Sequence, residues 1–332
     1  MAQLKQALEL NPRDYWSLFL LGTLYENRGE HALAYGAFSA CIHLWPEFAW
    51  GYYNRGGVLR QLRLNHEAFE DYTASLKRDP GLAEAYISRG YLYLDPNLPQ
   101  PVLALADFDA AAGLGRDDVA LHRGRGIALD ALHRVADADA AFDEAIERDP
   151  NNVDTLLSYG FAVSGRLPDK AFAAFGKVLE RNPRNPRALY GCAMLLQRKS
   201  RRSGIALAYF NSALQVDPTF VAARLARANV LAYRAECAQA REDVDWCVKA
   251  EPSGATFYAA ACVYALMADK ASEAEGGVFV DRAVFLVQEA FRRGYGKDKA
   301  ATDADLIRLR RHPDFRLLLR QVTETGAIQR GG

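Results

Sequence analysis

A chain of 332 residues with 41 lysines and arginines against 41 aspartates and glutamates has no net charge, which removes the electrostatic case for nucleic acid or an anionic membrane surface. Half of its residues are apolar, so a continuous core is within reach over a length at which a single globule would normally split into domains. The five scattered cysteines make no disulfide framework, and the longest uncharged run, Pro252 to Ala268, is too short to span a bilayer.

Along the chain, Pro12, Pro46, Pro80, Pro150, Pro183, Pro218 and Pro252 fall 34, 34, 70, 33, 35 and 34 residues apart. A period of this length marks a stacked array of one small unit, and its function should then lie in a surface. The rest of the unit keeps the same register. Eight residues before each proline stand Leu4, Phe38, Tyr72, Phe142, Phe175, Phe210 and Val244, and four before those, from the second proline on, come Ala34, Ala68, Ala138, Ala171, Ala206 and Ala240. Such offsets trace one face of a helix that alternates bulky and small side chains.

Upstream of each such helix lies a second one, marked by a small residue: Gly22, Gly56, Gly90, Gly126, Gly160, Ala193, Ala228 and Cys262. Glycine inside a helix costs roughly 0.5–1 kcal/mol against alanine, so its recurrence points to close approach of the paired helix. Residues 1–14 hold the second helix of an incomplete repeat. Eight helix pairs begin near Tyr15, Ala49, Ala83, Val119, Val153, Pro186, Val221 and Ala255, filling residues 15–297. The copy between Pro80 and Pro150 ends at Arg116 instead of proline, and its inner turn is lengthened over Asp95 to Pro101. In the last pair a polar connection is expected from Ala268 to Gly277. Capping helices follow over 298–323, with Asp303 capping a short helix and Pro313 starting another whose Phe315, Leu318 and Leu319 cover the end of the stack, before a flexible tail at 324–332. Because Leu4, Ala7 and Pro12 open the chain inside a repeat, a fragment of a longer protein is expected. A cytoplasmic location is expected from the absence of a signal-peptide apolar region.

The spacing Leu18-Leu21-Gly22-Tyr25-Ala34-Phe38-Cys41-Pro46 resembles the tetratricopeptide repeat, and the likeness recurs over about residues 15–290. The resemblance implies an all-α fold, a right-handed α–α superhelix, acting as a non-catalytic scaffold for a protein or peptide. Tyr258 to Leu266, with the ending Asp303 to Leu319, resembles the closing segment of repeat arrays attached to bacterial multidomain serine/threonine kinases. That implies an alternative, a regulatory or substrate-recruiting arm of a larger signalling enzyme. The chain itself has no glycine-rich loop with a Val-Ala-Ile-Lys strand, no His-Arg-Asp and no Asp-Phe-Gly. A third alternative, an RNA-binding helical array, is opposed by the balanced charge.

Chemistry-bearing sets are sparse, and no catalytic residue or cofactor is assigned. Cys41, Cys192, Cys247 and Cys262 occupy inward repeat positions and read as buried thiols, while Cys237 lies at an inter-helix turn. No Cys-x-x-Cys or His-x-x-x-His spacing occurs, so no metal site is expected. Asp107 with Asp109, and Asp137 with Asp139, stand two apart on helices, which points them to different faces and reads them as solvated charges.

The resemblance implies that the second, fifth, ninth and twelfth residues of each first helix line a concave groove. In the early repeats these include Trp16, Phe19 and Glu26, then Trp50, Tyr53 and Arg60, then Ile87 and Tyr91, and then Arg123, which together form the candidate partner-binding groove. Tyrosine and tryptophan dominate binding hot spots, and burying three such rings would contribute about 10 kcal/mol before ordering costs. The same rings could instead pack on one another. Of the clamp that this fold uses for a terminal carboxylate only Asn54 matches, so an internal peptide segment is the expected ligand. Arg198, Lys199, Arg201 and Arg202 form a possible anion contact in the turn of the sixth repeat.

Overall fold

The computed structural model describes residues 1–95, 99–197 and 203–328, with side chains to Gln321. Among these residues the chain is helical throughout and divides into two compact units, Met1–Ala162 and Val163–Gly332. The first unit opens with α1 (Ala2–Leu10). It continues with the antiparallel pairs α2 (Tyr15–Asn27) and α3 (His31–Leu44), α4 (Ala49–Gln61) and α5 (Asn65–Arg78), α6 (Ala83–Tyr93) and α7 (Pro101–Gly113), and α8 (Val119–Ala131) and α9 (Val135–Arg148). Its last element is α10 (Val153–Val163), whose final residue falls in the second unit.

The second unit holds α11 (Pro168–Arg181), the pairs α12 (Pro186–Gln197) with α13 (Ser203–Val216) and α14 (Val221–Tyr233) with α15 (Cys237–Ala250), and the longer pair α16 (Gly254–Lys270) with α17 (Glu273–Arg292). A 3-10 helix, Ala304–Arg311, and α18 (Pro313–Ile328) follow.

Boundaries come from side chains that satisfy the free N–H groups of helix starts. Asp14, Asp118, Asn152, Asn185 and Ser253 each accept from the backbone N–H three residues on, at 2.9–3.1 Å. Within four of the pairs the inner turn passes through the left-handed region at Gly29, Arg63, His133 and Ala235, one position seven residues after the small residue of the first helix. Only the first is glycine, so the turn is imposed by packing of the helices that flank it.

That packing is a wedge. Phe38, Tyr72, Phe108 and Phe142 of the second helices are fully buried, and each lies flat against the glycine of its own first helix. A Cβ added at Gly22, Gly56, Gly90 or Gly126 would come within 2.8–3.0 Å of the facing ring, closer than side chains pack. Phe108 is held from both sides, since a Cβ at Gly124 of the following repeat would meet it at 2.4 Å. In the second unit Phe175 meets Gly191 of the following repeat as Phe108 meets Gly124, at 2.5 Å from a Cβ placed there. Truncating a ring in such a closed slot costs about 3–5 kcal/mol.

A second device runs beside the wedge. Arg55, one residue before Gly56, forms two parallel hydrogen bonds of 2.7 Å to Asp71, one residue before Tyr72, and its third nitrogen reaches Ser39 of the preceding repeat at 3.3 Å. Arg89 repeats this with Asp107 at 2.8 Å and Thr73 at 3.3 Å. In the second unit Arg227 bonds Asp243 at 2.6–2.7 Å and Asn211 at 2.8 Å, and Arg224 joins Asp243 at 3.1 Å. Each guanidinium therefore ties three helices of two successive repeats. Asp107 is thus not a solvated charge: the fork of Arg89 matches its two oxygens and permits its burial. Asp109 pairs with Arg125 at 3.1 Å, and Asp137 with Arg134 at 2.7 Å on the surface.

The polar connection expected from Ala268 to Gly277 is shorter in the structure. Helix α16 continues to Lys270 and α17 starts at Glu273, because Ser272 caps Glu275 N–H while its hydroxyl also bonds the Glu275 carboxylate. Gly276 and Gly277 lie inside α17, where a Cβ at Gly276 would meet the Ala268 carbonyl at 3.1 Å. At the chain's far end Leu306, Leu309 and Phe315 are fully buried, with Leu318 and Leu319 packed beside them on the core of α16 and α17.

Asp107→Ala should cost about 3 kcal/mol by leaving Arg89 buried without its anion, whereas Arg89→Met with Asp107→Leu should lie within about 1 kcal/mol of the parent. Urea unfolding monitored by circular dichroism measures both. Equal losses in the single and double variants would contradict this account of the pair.

Candidate functional site

Aromatic residues gather at the start of the first unit. Trp16 remains 54% exposed and packs edge-on against Tyr15 and Phe19 of its own helix and against Phe48, with centroids 5.1–6.0 Å apart. Trp45 and Phe48 stack nearly parallel at 4.8 Å, and Trp45 is 46% exposed. Tyr15 joins the cluster through Trp45 at 5.6 Å and Phe48 at 5.5 Å. Its hydroxyl is buried without a hydrogen-bond partner among the described residues, and burial raises its pKa strongly. Phe19 is half-buried against Phe38.

Sequence reasoning overlooks Tyr15, Trp45 and Phe48, yet a signal is present. At the position of Trp45, immediately before the repeat proline, Asn11, Asp79, Asp149, Asn182 and Asp217 each accept from the N–H two residues on, at 2.9–3.2 Å, bracing the turn between repeats. Trp45 replaces that side-chain brace with a ring stacked on Phe48 that remains 46% exposed.

Further along, Trp50 and Tyr53 meet edge to face at 5.5 Å, and Tyr53 lies 5.9 Å from Tyr72. Both are half-buried, so the rings pack on one another and still keep one side open. Burial raises the Tyr53 hydroxyl, against a hydrogen bond with Ser88 that lowers it. Asn54 Nδ2 donates to the Trp50 carbonyl at 2.8 Å, so the one residue in common with a carboxylate clamp is engaged by its own helix.

A cleft of about 550 Å³ follows, lined by Arg60, Asn65, Ser88, Tyr91, Asp95 and Arg123 among others. The Tyr91 hydroxyl donates to the Ala120 carbonyl at 2.6 Å and accepts from Arg123 Nε at 2.9 Å, and Arg123 also meets Asp154 at 3.2 Å. Arg60 is exposed. Ile87 leaves the candidate set: it is only 7% exposed, locked in a core cluster with Phe108 and Leu121, because its helix turns that position toward the next pair. The basic residues Arg198, Lys199, Arg201 and Arg202 lie outside the described residues.

Among the described residues one set of metal-ligand type comes together: Cys262 on α16 with Asp303, which caps the 3-10 helix, and Asp305 in its first turn, their ligand atoms all within 4.8 Å of one another. Separations of 41 and 43 residues escape the local spacing rules on which the expectation of no metal site rests. Cys237 is half-buried at the first position of α15.

The paired helices, the aromatic-on-glycine wedge and the 34-residue unit define a helical-repeat solenoid. Comparison with known proteins agrees: residues 4–35 and 102–153 match models of the tetratricopeptide repeat. It is similar to the Cut9–Hcn1 structure of the APC/C, at 16% identity and a TM-score of 0.61, over 69% of this chain and 45% of that one. It is also similar to a monomeric mutant of IFIT1 with m7Gppp-AAAA, at 14% identity and a TM-score of 0.58, over 93% of this chain and 80% of that one. At these identities the likeness shows the fold, an all-helical α–α superhelix. A UDP-N-acetylglucosamine–peptide N-acetylglucosaminyltransferase of Giardia intestinalis is 23% identical over 139 residues, which are 42% of this chain and 7% of that protein. The tetratricopeptide fold supports a protein-interaction scaffold in general, and no helix among the described residues is long and apolar enough to cross a membrane.

Glu26, half-buried beside Gly57, has its pKa raised by burial, against the lowering fields of His31 and Arg60. The folded chain therefore binds a proton here at a higher pH than the unfolded chain does, and this carboxyl favours the native state increasingly as pH falls through its raised value. Glu26→Gln should raise the unfolding midpoint at pH 7 and weaken that acid-side gain. Thermal melts from pH 7 to pH 4 measure it, and a lower midpoint at pH 7 would contradict the assignment.

Proposed function

We propose that the first unit binds an internal segment of a partner protein along Trp16, Phe19, Trp50, Tyr53 and Tyr91, as a non-catalytic scaffold in the cytoplasm. The observation that supports this reading is the exposed ledge of Trp16 and Trp45, of which Trp45 stands where other repeats brace their turns. Glu26, Arg60 and Arg123 supply the polar contacts that fix direction and register along the wall. The balanced charge favours a protein ligand over nucleic acid.

Peptides selected by phage display on the full chain provide the probe. Fluorescence anisotropy of a selected peptide should show at least a thirtyfold loss of affinity in Trp16→Ala with Trp45→Ala, and a similar loss in Trp50→Ala with Tyr53→Ala, the size expected when a hot-spot pair is removed. Unchanged affinity in both variants, with melting curves of folded protein, would reject the groove.

A second reading makes the chain a regulatory or substrate-recruiting arm of a larger enzyme such as a serine/threonine kinase. The match to a transferase of which the shared stretch is 7% supports the general form of that idea, an array joined to a much longer protein. Immunoprecipitation from the native cell distinguishes the two: an antigen far larger than 36.8 kDa with associated transferase or kinase activity favours the arm.

A further inference from the structure

The cluster at the end of the second unit carries chemistry that the interaction surface does not use. Cys262 occupies the small-residue position of its first helix, where Gly22, Gly56, Gly90, Gly126, Gly160, Ala193 and Ala228 stand in the other repeats, so packing there asks only for a small side chain. Its thiol is 7% exposed and makes no hydrogen bond to another described residue. The buried thiols of Cys41 and Cys247, by contrast, reach the carbonyls of Tyr15 and Val221 at 3.8 Å. The Cys262 sulfur is directed at the two carboxylates instead.

Those carboxylates are themselves held in place. Asp303 caps the 3-10 helix by accepting from Asp305 N–H at 3.0 Å, and its second oxygen accepts from the Tyr258 hydroxyl at 2.8 Å. The Tyr233 hydroxyl lies 3.4 Å from Asp305 Oδ1. Both aspartates are half-buried, and no described basic side chain pairs with either within 4.0 Å. Arg310 reaches only the Asp303 carbonyl, and Lys299 lies over the rings of Tyr258 and Tyr295 at 4.7 and 4.5 Å.

We propose that Cys262, Asp303 and Asp305 form a binding site for a divalent cation of borderline softness, zinc being the natural case. One sulfur and two carboxylate oxygens make a three-ligand set with one coordination position left over, suited to zinc and to cobalt(II) as its spectroscopic substitute. Metal–ligand bonds of about 2.0–2.3 Å in a tetrahedron put ligand atoms roughly 3.5 Å apart, so side-chain rotation closing the cluster by about 1 Å completes it. Tyr258 and Tyr233 act as outer partners that aim the carboxylates. On binding, the thiol proton passes to solvent and the sulfur's electron pair goes to the metal, so one proton is released per ion and affinity falls as pH falls. The ion would tie α16 to the 3-10 helix.

The test uses the full chain, stripped with chelator and titrated with cobalt(II) chloride and then zinc chloride. One equivalent of cobalt should give a thiolate-to-cobalt charge-transfer band that zinc displaces, and zinc should raise the melting temperature. Cys262→Ala, a residue the repeat already accepts at Ala193 and Ala228, should abolish the band, and Asp305→Asn should weaken zinc binding at least tenfold, while Cys237→Ala leaves both intact. Absence of a thiolate band, or a band that survives in Cys262→Ala, overturns the site. Should Cys262→Ala melt early, the Asp305→Asn titration decides alone: unchanged zinc affinity overturns the site, and a tenfold loss supports it.

Discussion

Everything in this chain follows from a ring pressed onto a backbone with no side chain in between. Phe38, Tyr72, Phe108 and Phe142 can lie flat on their first helices only because Gly22, Gly56, Gly90 and Gly126 leave the space, and a methyl group at any of these positions would overlap the ring. Each slot brings two helices close enough to exclude water along their length. It also fixes their rotation, and so decides which residues of the first helix turn away from the partner and become available surface.

Stacking then needs a term that links one pair to the next, and the arginine–aspartate fork supplies it. Because Arg55, Arg89 and Arg227 each touch their own second helix and that of the preceding repeat, they act on the angle between successive pairs more than on either pair alone. Such buried pairs add little net stability over apolar packing, but they penalise any register in which the fork loses its anion. The wedge drives the collapse and the fork selects the arrangement.

Against these repeating rules the exceptions carry the functional information. Trp45 abandons the turn brace made by Asn11, Asp79, Asp149, Asn182 and Asp217, and Cys262 brings a thiol to a position that elsewhere holds glycine or alanine. A repeat protein reports its specialised positions this way, because every copy serves as a control for the others.

From the sequence by itself came the period, the pairing of helices and most of the wedge residues, since a helix of 3.6 residues per turn writes its buried face at fixed offsets; Phe108 escaped because its repeat ends at Arg116 and lacks the proline that sets the register. The placing of rings at positions 16, 50 and 53 on the first helices was legible for the same reason. Tertiary structure alone decided what depends on distance through space: that Asp107 is buried in the fork of Arg89, that Ile87 turns inward, that Trp45 and Phe48 complete the ledge begun by Trp16, and that Cys262 meets two aspartates from more than forty residues away. Local periodicity assigns a residue to a face. Only the packing of neighbouring elements determines whether that face meets solvent, a counter-charge or another side chain.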